Sequence, residues 1–171
     1  MLRRTRNTTA YMLMPIYNLD KPVGPLQPNQ SDDVRLLQTM FTELNRLSPR
    51  KLCDIPLVVD GVYSDELCLW IRAFQERAGL AVNGKALPMQ VSAPAGRNAR
   101  VDPPSLKLPP SLKLRRTLRR TGWQSTAADG SVSVVYALNV LLRQHAKGQH
   151  EGLRTKLRLA EKGLAASIFG F

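Results

Sequence analysis

Histidine is scarce in this chain, and that scarcity excludes one large class of hydrolases. Among 171 residues there are 2 histidines, His145 and His150. A zinc amidase or peptidase needs several His or carboxylate ligands and a base. These two histidines share no helix face, because Gly148 lies between them. We therefore expect no metal site.

Carboxylates are also few outside the segment 31–87. A glycosidase needs a paired acid and nucleophile or base, and the chain has neither a Gly-rich phosphate loop nor a metal-loop pattern. We predict a protein that is not an enzyme and that needs no cofactor. The outlying carboxylates, none in a recognisable catalytic setting, are Asp20, Asp102, Asp129, Glu151 and Glu161.

Long apolar runs are missing as well. No run reaches the ~18 apolar residues of a membrane span, so no transmembrane segment is predicted. The arginines of residues 1–6 and the apolar run Ala10–Met14 superficially resemble a secretory signal. Pro15 interrupts that run, and no small-residue cleavage site follows. We interpret this region as an N-terminal arm or edge strand.

Positive charge is abundant, and it is unevenly placed. The formal net charge is +12; residues 31–87 carry seven basic and eight acidic side chains, and residues 88–171 carry fourteen and four. Pro-Pro-Ser-Leu-Lys-Leu occurs at 103–108 and again at 109–114, which predicts an extended, polyproline-like strap. The strap is either a solvated linker or an arm along an acidic partner. Its cations are Lys107, Lys113, Arg115, Arg116, Arg119 and Arg120.

Two helices are predicted before the strap. The first begins at Ser31 as N-cap, presents Val34, Leu37, Phe41 and Leu44 on one face and ends at Ser48-Pro49. The second spans about Ser64 to Ala78, with Ser64 as N-cap and Gly79 as a left-handed C-cap. Its apolar face should pack on the first helix. That face comprises Leu67, Trp70, Ile71, Phe74 and Ala78, while Asp65, Glu66, Arg72, Gln75 and Glu76 are expected outside.

The turns around the second helix carry a family resemblance. Asp60-Gly61, then an apolar helix ending in Phe74-Gln75, then Gly79-Leu80 and Val82-Asn83-Gly84 resemble the peptidoglycan-binding domain, a three-helix cell-wall module. Val23-Gly24, Asn29, Asp32-Asp33-Val34, Leu37-Gln38 and Phe41 resemble its lead-in and first helix. The resemblance covers Pro22 to Leu87. Pro88 implies that the third helix is cut short.

The resemblance implies a ligand groove, and it also shows departures. The groove would involve Asp60, Gly61, Tyr63, Trp70 and the Asn83-Gly84 turn, with aromatic faces against sugar or peptide stem. The alternative for Tyr63 and Trp70 is a place in the core beside the apolar stripe. The family usually has Gly, Thr, Ala and Asp where this chain has Ser64, Leu67, Trp70 and Asn83.

Both cysteines, Cys53 and Cys68, fall inside this module, which argues against a cysteine peptidase. We expect two buried thiols, and the spacing leaves open whether they form a bridge.

A pair of helices is predicted after the strap. Residues 132–145 alternate like a strand at first, but fourteen residues favour a mostly buried helix. The next element has a stripe of Leu153, Leu157, Ala160, Leu164 and Ile168 opposite basic residues. Such a helix can lie on a membrane or pack on the preceding helix; we expect packing.

The predicted fold is therefore mainly α. It consists of an N-terminal arm and lead-in (1–30), a small three-helix peptidoglycan-binding-like module (31–87), a basic Pro-rich strap (88–121) and a C-terminal helical hairpin (122–171).

Three functions are compatible with the sequence. Peptidoglycan-binding-like modules occur in phage tails and contractile injection machines, so the first is a non-catalytic structural or adaptor component of a larger bacterial or phage assembly, located in a virion or injection particle. The alternative is a cell-envelope protein that binds peptidoglycan and targets a partner enzyme. The third, polyanion or nucleic-acid binding through the basic C-terminal half, lacks a helix-turn-helix, a zinc pattern and interleaved aromatics.

Overall fold

The computed structural model describes residues 16–91, 123–127, 129, 131–146 and 148–164. Its described part is mainly helical, which confirms the predicted fold class. The elements are α1 (Ser31–Leu47), α2 (Asp65–Arg77), β1 (Met89–Val91), β2 (Trp123–Ala127), α3 (Val134–His145) and α4 (His150–Glu161).

Helix α1 begins one residue earlier than its sequence predicts. Gln30, with φ −59° and ψ 132°, is the N-cap, and its carbonyl accepts the amide of Val34 at 2.9 Å. The prediction of Ser31 as N-cap is therefore wrong; Ser31 is the first helical residue. The helix ends as predicted at Ser48, whose extended backbone suits the residue before proline.

Helix α1 is the centre of the fold, because it is buried on two sides. Phe41 of its predicted face packs on α2, where its ring centroid lies 6.0 Å from that of Trp70 and 5.7 Å from that of Phe74. The other side, with Leu36 and Met40, is also buried, and α3 and α4 both pack on α1. A small helix pair thus acquires a core of ordinary size.

Helix α2 has the predicted ends. The side chain of Ser64 accepts the amide of Leu67 at 3.3 Å. At the other end Gly79 has φ +66°, and the amides of Gly79 and Leu80 donate to Glu76 and Gln75 at 3.1 and 2.7 Å. This is the Schellman arrangement. The predicted apolar face is buried throughout.

A third helix in the module was predicted to be cut short, and the structure has none there. Residues 78–91, all of them described, form a turn at Asn83-Gly84, a bridge between Val23 and Ala86 and then strand β1. β1 pairs antiparallel with β2, from Met89 opposite Ala127 to Val91 opposite Trp123, with a register shift between them. Pro88 thus precedes a strand.

The C-terminal pair of helices is confirmed, with one correction in its packing. α3 is a helix rather than a strand and begins two residues after Val132. α4 packs mainly on α1, whereas the sequence predicted packing on the preceding helix. Leu153, Leu157 and Ala160 are buried, but Leu164 is exposed, and Ile168 lies outside the described residues.

The lead-in segment belongs to the same core. Tyr17, Leu19 and Val23 are buried. The side chain of Asn139 on α3 accepts the amide of Tyr17 at 2.9 Å and donates to its carbonyl at 2.8 Å, which satisfies both backbone groups. The N-terminal arm before residue 16 and the cations of the basic strap lie outside the described residues.

Candidate functional site

The site predicted from the sequence centres on two turns, and the second turn is fixed by a buried glutamine. Gln75 was expected on the outside of α2, but it is buried. Its Oε1 accepts the amides of Asn83 and Gly84 at 3.0 and 2.9 Å, and its Nε2 donates to Asn83 Oδ1 and the Lys85 carbonyl at 2.8 and 3.0 Å. Periodicity places Gln75 beside the apolar face, and these bonds explain why it turns inward.

The first turn is fixed in the same way by α1. Gln38 is buried; its Oε1 accepts the amide of Gly61 at 2.8 Å. Its Nε2 donates to Asp60 Oδ1 at 2.9 Å and to the Val62 carbonyl at 3.1 Å. In both turns the Asx Oδ1 also accepts the amide two residues on, Val62 at 2.8 Å and Lys85 at 2.9 Å.

The two turns also correspond in the helix residues that lie against their glycines. A Cβ added to Gly61 would lie 2.5 Å from Ser31 Oγ and 2.9 Å from Arg35 Nη2, seven and three residues before Gln38. A Cβ added to Gly84 would lie 2.9 Å from Cys68 Sγ and 3.1 Å from Arg72 Nε, seven and three residues before Gln75.

Each set forms what we call a glutamine–turn unit. The first unit is Ser31, Arg35, Gln38 and the turn Asp60-Gly61-Val62, and the second is Cys68, Arg72, Gln75 and the turn Asn83-Gly84-Lys85.

Glycine is required in both turns for two reasons. Gly61 and Gly84 have φ of +79° and +70°, which residues with a side chain rarely adopt. Each also lies against its helix without room for a Cβ. The tight Asx-Gly turns are therefore consequences of close packing on α1 and α2.

Asp60 is held as a carboxylate by its turn. Partial burial raises its pKa, but the hydrogen bonds from the Val62 amide and the Gln38 side chain outweigh burial and hold the pKa of Asp60 below its ordinary value. The equivalent residue of the second unit, Asn83, carries no charge. The Asp60 side chain is thus used to build the turn.

Trp70 does not lie in a ligand groove. Its side chain is 3% exposed, it contacts Phe41, and its indole N–H donates to the Ile55 carbonyl at 3.1 Å. The prediction of a ligand contact at Trp70 is therefore wrong, and the alternative of a core residue is right.

Tyr63 remains partly accessible, and the structure places it beside the second unit. Burial and a hydrogen bond with the Cys68 thiol raise the pKa of Tyr63 above its ordinary value. Cys68 in turn lies against Gly84, next to the exposed Arg72. The partly exposed phenol and thiol and the exposed guanidinium offer hydrogen-bond donors to a carbonyl or carboxylate.

The cysteines differ from the expectation of two buried thiols. Cys53 and Cys68 are each partly exposed, and neither forms a disulfide. Cys53 lies in the connection after α1, where its carbonyl accepts from the Asn45 side chain at 3.1 Å.

Apolar side chains are exposed around both units. Val62 directly follows Gly61, Val82 directly precedes Asn83, and Leu69 directly follows Cys68. Val62 belongs to the first unit, and Leu69 and Val82 lie beside the second; exposed apolar side chains favour protein contacts over binding of a small polar ligand where they form a continuous patch.

In the described part of the chain, no group of three or more His, Cys, Asp or Glu residues is placed to hold a metal ion. His145 ends α3 and His150 begins α4. None of the helices described there has both the length and the apolar character needed to cross a membrane.

Sequence analysis missed two equivalences between the units: Arg35 corresponds to Arg72, and Gln38 corresponds to Gln75. A signal was present, since both helices contain an apolar residue, Arg, any residue, an apolar residue and Gln in succession, at 34–38 and 71–75. It was hidden because the turns follow the glutamines at very different distances along the chain.

Comparisons with known proteins add no assignment. A scan against protein-family models finds no matching family, and searches of curated proteins and of solved structures find no match.

Proposed function

We propose that the protein is a non-catalytic structural or adaptor subunit of a larger bacterial or phage assembly, such as a phage tail or a contractile injection machine, built on a peptidoglycan-binding-like module. Support for such a module comes from the two glutamine–turn units. They involve Leu37-Gln38, Asp60-Gly61, Phe74-Gln75 and Asn83-Gly84, the same residues that carry the resemblance.

One observation favours the adaptor role over carbohydrate binding. Most groups of the predicted ligand site are used inside the fold: Trp70 is buried, the side chains of Asp60 and Asn83 bond to their own turns, and Gly61 and Gly84 pack on helices. A sugar site needs exposed aromatic faces and free polar groups. The surface around the units instead exposes apolar side chains.

Peptidoglycan binding is the second candidate, and one feature favours it. Arg72 is exposed beside Gly84, and Tyr63, which contacts Cys68, is partly exposed. A guanidinium and a phenol suit the carboxylate of a peptide stem. Polyanion binding is the third, and its support is the exposed line of Arg154, Arg158 and Lys162 at four-residue spacing on and just after α4.

Pelleting with purified wall sacculi separates the first two candidates. The full chain must be used, because α3 and α4 complete the core of residues 22–87. The adaptor role predicts that the chain stays in the supernatant. Wall binding would instead be established if the chain pellets with the sacculi and Tyr63→Ala abolishes the pelleting. The matched truncation Tyr136→Ala on α3 should then leave the pelleting unchanged.

The assembly role has its own direct readout. A tagged chain expressed in its source organism should co-fractionate with a particle far larger than its own 19.1 kDa. Cross-linking and mass spectrometry should then identify the same neighbouring subunits in repeated preparations. A chain that fractionates only at its own size would contradict the proposal.

A further inference from the structure

The first glutamine–turn unit has a helix end docked on its outer side. Arg35 donates through Nη1 to the carbonyl of Gly163 at 2.9 Å. Gly163 lies so close to Asp32 that a Cβ on the glycine would overlap the carboxylate. Arg35 also donates to the Asp60 carbonyl at 3.2 Å, so one guanidinium joins the turn to this helix end.

That docked end is a Schellman cap. Gly163 has φ +71°, and the amides of Gly163 and Leu164 donate to Ala160 and Leu159 at 2.9 and 2.8 Å. The carbonyls at the end of α4 carry the negative end of its dipole, which a guanidinium stabilises.

On the second unit, no helix end is docked by any residue that the structure describes. Leu69 and Arg72 follow Cys68 by one and four residues. Asp32 and Arg35 follow Ser31 at the same spacing, so the two pairs are equivalent. Leu69 is 47% exposed. Arg72 is exposed and makes no hydrogen bond or ion pair with any residue that the structure describes.

The chain itself carries a second helix end of the docked kind. Gly79 closes α2 with the same Schellman bonds as Gly163, and no atom of the described residues lies within 4 Å of a Cβ added to it. Among these residues, the Gly79 end therefore has room for a side chain from a neighbour.

The outer stripe of α2 is complementary to itself. Leu69, Arg72, Glu76 and Gly79 follow at spacings of three, four and three residues, which places them on one face, and all four are exposed. When two copies of α2 lie antiparallel, Arg72 faces Glu76 of the other copy and Leu69 faces the notch at Gly79. Such a contact is isologous and closes as a dimer.

We propose that two copies of this chain associate through the outer stripe of α2, with Leu69 and Arg72 of each copy receiving the Gly79 end of the other. Arg72 then has both the Glu76 carboxylate and the helix-end carbonyls within its reach. The proposal rests on the assembly role proposed above, since it names one subunit contact within it.

Sedimentation velocity of the full chain over a range of concentrations tests this contact. The wild-type chain should show a concentration-dependent dimer. Arg72→Glu and Glu76→Arg should each weaken association by roughly tenfold or more, because each places like charges opposite one another twice by symmetry. The combined Arg72→Glu, Glu76→Arg variant should restore it, because the pairing is reversed but kept.

Arg158→Glu, a matched charge reversal exposed on α4, should leave association unchanged. Circular dichroism and thermal unfolding establish that each variant is folded. If Arg72→Glu does not fold, Leu69→Asn replaces it and should also weaken the dimer.

Several outcomes would overturn the proposal: a wild-type chain that is monomeric at all concentrations, a combined variant that does not recover, or equal effects of Arg158→Glu and Arg72→Glu. A monomer that still co-fractionates with a large particle would remove this contact and leave the assembly role standing. Tyr63-dependent binding to sacculi would remove the assembly role, whatever the state of association.

Discussion

Replacing Gln75 with methionine is the sharpest test of how the second turn is held. Methionine has a similar length and keeps the apolar contacts of the side chain, but it removes both polar groups. Four hydrogen bonds to Asn83, Gly84 and Lys85 are lost. The amide of the buried Gly84 is then left without its acceptor.

The magnitude follows from those bonds. A typical hydrogen bond contributes about 1 kcal/mol net, and a buried group left unpaired costs about 1–3 kcal/mol. Asn83 is exposed, so water can replace part of what it loses. We therefore expect Gln75→Met to lower the free energy of unfolding by about 2–4 kcal/mol.

Urea unfolding followed by circular dichroism measures this change, provided that the m-value is unaltered. Gln38→Met should have a similar effect, because Gln38 makes three equivalent bonds. Gln27→Met is the matched control, since the side chain of Gln27 makes one local hydrogen bond of 3.4 Å. A loss in Gln75→Met no larger than that of the control would refute the role assigned to the buried glutamine.

Three further predictions concern charge and backbone. Because the folded pKa of Asp60 lies below the ordinary 3.8, its ionised form adds stability above that value and loses it as pH falls through the folded pKa. Asp60→Asn should therefore unfold with less dependence on acid pH in thermal melts than the wild type; equal dependence would contradict this. Gly84→Ala should lower the free energy of unfolding in urea by about 2 kcal/mol or more, because the added Cβ meets Cys68. Gly79→Ala is also at positive φ, but no described atom lies near its Cβ, so it should lower that free energy by about 1 kcal/mol. Equal costs would contradict the close packing. Glu43→Gln should lower the free energy of unfolding by about 1–3 kcal/mol, because the buried carboxylate bonds to Lys156 at 2.6 Å and so joins α1 to α4. Thermal unfolding should show this loss for Glu43→Gln and no such loss for Glu66→Gln, which lies at the surface.

Local patterns predicted the helices well, because their signals lie within a few residues. Ser64 and Gly79 mark the ends of α2, and the spacing of Phe41 and Trp70 identifies the two faces that meet. The fourteen residues from Val132 gave the right element despite their initial alternation.

Long-range contacts could not be predicted in the same way. Gln75 looks like a solvated residue until the turn at Asn83-Gly84 is seen to bond to it, and the partner of α4 depends on how α1 is buried on its second side. The place of Trp70 beside the apolar stripe favours a core position over a sugar site, and its contacts show the core position. The two glycine turns were therefore predictable from the sequence, but the way in which their side chains are used was not.

Amide hydrogen exchange tests most directly whether the two glutamine–turn units exist. Gly61 and Gly84 lie in surface turns, yet their amides donate to buried glutamine oxygens at 2.8 and 2.9 Å. Both amides should therefore exchange slowly, and Gln75→Met should release Gly84 while Gly61 keeps its protection. Rapid exchange of both amides in the wild-type chain would contradict the two-unit architecture.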